Sequence, residues 1–167
     1  MKSMHIGNIR LWLGAIAMFL GSAGLVHAAA LPAATGQQSH DAAWLYRAIK
    51  ADAMQVRSAA FRLENLTMTP HATWMDYDGQ WNAIKPSVED MQIKLVRLEA
   101  LQASSAPAQR KELDQSRQLI QEIQSRTHGL RVLLDRADFH KNDPRFKEYA
   151  RGLTSEAGRL ERAAKVS

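Results

Sequence analysis

Residues 77–101, "YDGQWNAIKPSVEDMQIKLVRLEAL", decide the fold, because a proline stands in the middle of what otherwise reads as one helix. Tyr77, Trp81, Ile84, Val88, Met91, Leu95, Leu98 and Leu101 advance in steps of four and three, the recurrence of one face of an α-helix. A proline inside a helix removes a backbone hydrogen bond at a cost of about 3 kcal/mol, and a break there would reset the phase. The phase runs through Pro86 unchanged, so the segment predicts one helix kinked at that residue. Ser87 and Asp90 form a capping-box-like pair that leaves a two-helix alternative open.

The same period extends outward on both sides. From Asp41 to about Thr67, Ala42, Leu45, Tyr46, Ile49, Ala53, Val56, Ala59, Ala60, Leu63 and Leu66 form one stripe, with Ser39 or Asp41 available as the cap. Thr69 and Pro70 then offer a cap and a first-turn residue for the second helix. Past Leu101, "ASSAP" supplies Ser104 and Ser105 as caps and Pro107 as a first-turn residue. A third helix is predicted to about Asp138, with Leu113, Ile120, Ile123, Thr127, Leu130, Leu134 and Ala137 inward. Asp143 and Pro144 start a fourth, whose stripe is Phe146, Ala150, Leu153, Ala157, Leu160 and Ala164. Four amphipathic helices joined by short polar turns, with no alternating strand pattern, predict an all-α, up-down-up-down four-helix bundle. Stripes of this coiled-coil type can close within one chain or between copies, so a homo-oligomer is an expectation the pattern leaves open.

Ahead of the bundle, Lys2 and Arg10 precede the apolar run Leu11–Val26 and the small-residue segment "HAAALPAA", the three-part pattern of a signal peptide. The run has 16 residues, short of the roughly 20 of a spanning helix. The expected organisation is a signal peptide over 1–28, cleaved after Ala28 or Ala30, a flexible N-terminus over 29–38, and a single domain over 39–167. No cysteine follows the run and no Arg-Arg pair precedes it, which excludes a lipoprotein anchor and a twin-arginine leader. The expected location is periplasmic or secreted, with no membrane span left after cleavage, a leader retained as a membrane anchor being the alternative. The chain has no cysteine at all, so a packed core and not disulfides must stabilise it.

Lys2 and Arg10 lie in the leader, so its removal lowers the formal net charge from +5 to +3. The charges interleave, as in "RKELDQSRQLIQEIQSR", and form no single-sign run of the kind that binds nucleic acid. Covalent haem needs a Cys-x-x-Cys-His run, which a cysteine-free chain cannot supply. No Glu-x-x-His or His-Glu-x-x-His pair, nucleophile elbow or phosphate loop occurs. Neither a catalytic residue nor a cofactor is therefore assigned.

Two constellations stay open. "HATWMDYDGQW", residues 71–81, concentrates His71, Asp76 and Asp78 with three aromatics. On a helix these polar groups diverge, whereas in a loop they could converge on a metal or small ligand, and the aromatic spacing favours a helix. Met54, Met68, Met75 and Met91, with Trp44, Phe61, Trp74 and Trp81, could line an adaptable apolar surface. Trp44, Phe61 and Trp74 fall off the main stripes and would mark an exposed interaction patch.

The run from Trp81 to Leu95, "RLEAL" at 97–101, the Ser-rich turn, the Gln-rich third helix and "RFKEYARGLTSEAGRL" at 145–160 resemble a family of exported all-helical bacterial proteins with no assigned activity, over roughly residues 77–164. That resemblance implies an exported helical protein and carries over no catalytic residue. Small periplasmic chaperones carry Leu-Thr-x-x-Gln, and "LTMTP" and "LTSEA" lack its glutamine. A b-type cytochrome bundle needs an inward histidine in the last helix, and residues 144–167 have none. The expectation is a non-enzymatic bundle that binds an envelope protein or an apolar client. The alternative is a periplasmic metal- or small-ligand-binding bundle.

Overall fold

The computed structural model describes residues 33–102, 107–136, 139–140 and 142–164. Four helices follow one another: α1 (Ala33–Leu66), α2 (Trp74–Leu101), α3 (Pro107–Leu134) and α4 (Pro144–Ala163). Each packs against its two neighbours in a closed ring, α1 with α2, α2 with α3, α3 with α4 and α4 with α1, while the backbones of the diagonal helices stay apart and core side chains meet between them, as Tyr77 of α2 meets Phe146 of α4. Short connections force antiparallel neighbours, and the chain is the four-helix bundle its stripes predict.

α2 runs through Pro86 without interruption. Ser87 does not cap a second helix there: its hydroxyl donates to Gln55 Oε1 on α1 at 3.0 Å, while Asp90 pairs with Lys94 one turn on. The predicted stripes form the core. Ile49, Val56 and Leu63 of α1, Ile84, Met91 and Leu98 of α2, Ile123 and Leu130 of α3, and Phe146, Leu153 and Leu160 of α4 are buried completely or almost so. One end is closed by aromatic rings. Tyr77, Phe139 and Phe146 meet edge to face with centroids 5.3–5.4 Å apart, the favoured geometry for such rings. The Tyr77 hydroxyl donates to the Leu66 carbonyl at 2.9 Å, fastening the start of α2 to the end of α1.

Helix boundaries differ from expectation in three places. α1 begins at Ala33, so residues 33–38 of the segment expected to be flexible are helical. Ser39, expected as a cap, instead donates to the Gly36 carbonyl, and Gln37 bonds Asp41 one turn on, which extends the helix beyond its buried stripe. α2 begins at Trp74 and not at Pro70. Thr73 is its cap, with backbone N–H and hydroxyl both donating to the Asp76 carboxylate at 2.7 and 2.8 Å. Asp76 therefore offers an anchor that the Thr69-Pro70 start lacks. α3 ends at Leu134, four residues short of Asp138. Asp135 closes a final turn to Arg131 and Arg136 tightens it toward Leu133, before Phe139 turns in on Tyr77. α4 follows the prediction: Asp143 caps it through the Arg145 N–H at 2.9 Å, and Pro144 occupies its first turn. The expected leader over 1–28 with its expected cleavage sites, the expected caps Ser104 and Ser105, and Ala137 lie outside the described residues.

Two ion pairs sit between helices with little access to water. Lys94 of α2 reaches Asp52 of α1, and Arg126 of α3 reaches Glu156 of α4 at 2.6 Å. In both carboxylates burial raises the pKa above its ordinary value and the partner's hydrogen bond only partly opposes it. Such pairs fix register more than they add stability.

Candidate functional site

The fold gives His71, Asp76 and Asp78 separate roles. His71 is exposed in the turn between α1 and α2. Asp76 is occupied by the Thr73 cap, whose backbone N–H first and hydroxyl second hold its carboxyl below the usual carboxylate range. Asp78 accepts from Arg131 of α3 at 2.7 Å and from Asn82 at 2.9 Å. The three are not brought together, and no group of three or more His, Cys, Asp or Glu among the described residues is arranged to hold a metal ion.

Arg131 is the residue the sequence did not point to. It bonds Asp78 and Asp135, and its guanidinium carbon lies 4.7 Å from the Trp81 ring centroid, close enough for cation–π attraction. Trp81 belongs to the expected stripe but stands half-buried at its edge, donating its indole N–H to the Thr127 carbonyl at 3.2 Å. Together with Lys85, Gln92, Gln124 and His128 they line a groove of about 240 Å³ between α2 and α3. Of its two cations Arg131 is matched by two carboxylates and Lys85 stands 3.7 Å from Glu89, so nothing in the groove calls for an anion.

The off-stripe aromatics are placed differently. Trp44 and Phe61 are 53% and 54% exposed on a helix whose core face is fully buried without them. They lie on opposite flanks of α1. Trp44 lines a groove of about 510 Å³ toward the end of α2, with Arg97, Ala100 and Leu101. Phe61 and Met54, the latter 51% exposed, wall a groove of about 520 Å³ toward α4, with Arg57, Ser58, Thr154 and Glu161. Trp74 is 46% exposed, and its indole N–H donates to the Leu134 carbonyl at 3.1 Å, so it also serves the end of α3. The three aromatics thus form no single patch. α2 adds outward apolar residues that its inward stripe hides, with Ile93 52% and Val96 64% exposed. The signal for these was available, since apolar side chains opposite a helix's buried stripe are out of phase with its core.

Compared with protein-family models, curated proteins and solved structures, the chain gives no match in any of the three. No described helix is long and apolar enough to cross a membrane.

Proposed function

We propose that the protein is an exported, non-enzymatic helical bundle whose role is to dock another protein of the envelope or an apolar client. The observation that carries this reading is the pair of apolar grooves flanking α1, walled by Trp44 on one side and by Met54 and Phe61 on the other. A bundle with a complete core gains nothing in its own stability from large apolar side chains left half in water, whereas a docking surface buries them on binding. Grooves between helices also suit an amphipathic helix as the bound element. Export rests on the leader pattern of residues 1–28. His71, Asp76 and Asp78, separated by the fold, lend no support to the metal- or ligand-binding alternative.

The test is a photo-reactive benzophenone side chain placed at position 44 or 61 and irradiated in the native compartment, with exposed Glu148 on α4 as control position. Discrete adducts at 44 or 61, and none at 148, are the expected outcome. Equal labelling at all three positions, or none at any, contradicts the proposal.

A further inference from the structure

The α1–α4 groove has a charge as well as an apolar wall. Arg47, Lys50, Met54 and Phe61 share one outer face of α1 by their three- and four-residue spacing. The Arg57–Glu161 and Arg151–Glu64 pairs, at 3.0 and 2.7 Å, fix the antiparallel register of α1 and α4. That register sets Arg162 level with Met54. Among the described residues Lys50 and Arg162, which flank the Met54 end without lining the groove, make no ion pair, so they add positive charge beside the matched Arg57–Glu161 pair of its wall. Across the molecule the balance is uneven: α1 and α4 carry nine cations and six anions, whereas α2 and α3 carry eight of each.

The complement stands on the same molecule. α2 itself has five anions against three cations, and its outer face carries Glu89, Asp90, Ile93, Val96 and Ala100, all exposed. Among the described residues Glu89 and Asp90 are engaged only by lysines one turn away on their own helix, Asp90 by a Lys94 held more closely by Asp52, and both carboxylates stay exposed, where such contacts bind weakly. The spacings agree. Glu89, Ile93 and Ala100 are separated by four and seven residues, as are Lys50, Met54 and Phe61, and Val96 follows Ile93 by the same three residues as Arg57 follows Met54. A helix laid parallel to α1 in this register sets Glu89 against Lys50 and, over about 10 Å or two helical turns, Ile93 against Met54 and Ala100 against Phe61, with Val96 between them beside the Arg57 side chain.

We infer that the α1–α4 groove receives the outer face of α2 from a second copy of this chain. The inference rests on the docking role proposed above and names its occupant. α2 is diagonal to α4 in the ring, and its outer face points away from the α1–α4 groove. A copy therefore cannot satisfy its own groove, and two copies cannot satisfy each other's, so the contact is heterologous and propagates. The groove's concave shape and the Glu161 carboxylate in its wall fit a helix better than the plane of an anionic membrane.

The experiment is sedimentation analysis of the purified protein over a wide concentration range, with Phe61→Asp and Ile93→Lys variants whose helicity is checked by circular dichroism. Both residues are half-exposed, so the fold survives either change. The wild type is expected to grow into species larger than dimers, and each variant alone to associate at least about tenfold more weakly. Mixed together, the variants are expected to form a one-to-one complex and nothing larger, because one retains the groove and the other retains α2. A mixture that stays monomeric while the wild type associates, or an Ile93→Lys variant that associates as the wild type does, removes α2 as the occupant. A wild type that is monomeric throughout overturns the second copy, and adducts of position 61 with another protein would then leave the docking role standing. Phe61-dependent cosedimentation of monomer with anionic phospholipid vesicles assigns the groove to a membrane surface instead. Absence of association and of adducts removes both readings.

Discussion

The worth of a helical glycine depends on what its missing Cβ would meet. At Gly79, exposed on α2, nothing lies within 4 Å of that position. Gly79→Ala is expected to raise stability by about 0.5–1 kcal/mol in urea unfolding, the gain in helix propensity. Gly152 behaves oppositely. A Cβ there would stand 2.5 Å from the Arg126 guanidinium, which crosses the bare backbone of α4 to reach Glu156. Gly152→Ala displaces the guanidinium and leaves a buried carboxylate without its partner, so the urea midpoint falls in spite of better propensity. Equal gains from the two alanines would show that the pair does not need the glycine. At Asp143 the Arg145 guanidinium first, and its backbone N–H second, hold the carboxyl below the usual range. A lowered folded pKa means stability that is present above the unfolded value near 4 and is lost as pH falls through the lowered one. Asp143→Ala should therefore lower the urea midpoint at neutral pH, and its deficit should shrink on acidification to about pH 3. A deficit of constant size between the two conditions contradicts that linkage.

At the scale of a helix, α2 carries the central conflict between local propensity and packing. Pro86 removes a hydrogen bond from its middle, yet Ile84, Val88 and Met91 are buried on both sides of it in one phase. Pro86→Ala restores the missing donor on an exposed position and is expected to add about 1–3 kcal/mol of stability, read from urea unfolding. A loss of stability would mean that the packing of α2 depends on the proline itself. The inward phase of all four helices was legible because burial repeats every three or four residues. The ends were not. The sequence pattern starts α2 at Thr69-Pro70, whereas the start lies at Thr73, held by the Asp76 carboxylate and by the Tyr77 hydroxyl on the Leu66 carbonyl, a contact between two helices that no single-helix pattern shows. The same limit hid the candidate site's polar anatomy. Arg131 and Asp78 are 53 residues apart, and no period in the sequence links them. Trp44 and Phe61 could be picked out because an off-stripe aromatic is a local signal, but their placement on opposite flanks of α1 needed the neighbours α2 and α4.

For the whole molecule, the interleaving of charges along the chain conceals their partition in space. α1 and α4 together hold a surplus of three positive charges, equal to the net charge of residues 29–167, and α2 and α3 together hold none. Association through such faces is screened by salt. Raising ionic strength from about 0.05 to 0.5 M, which takes the screening length well below 10 Å, should weaken it. Strengthening with salt would point to a contact made by apolar surface alone. The ring of four helices also sets an order of events. Three of its four contacts join helices adjacent in the chain and the last joins the first to the fourth, the contact with the largest loop to close. The groove between α1 and α4 therefore comes into being only with that final closure, whereas the outer face of α2 exists as soon as its helix forms. An incompletely folded chain can present the plug but not the socket, so it can occupy the groove of a finished copy but cannot receive another, and growth of the assembly in that direction waits on the last helix contact.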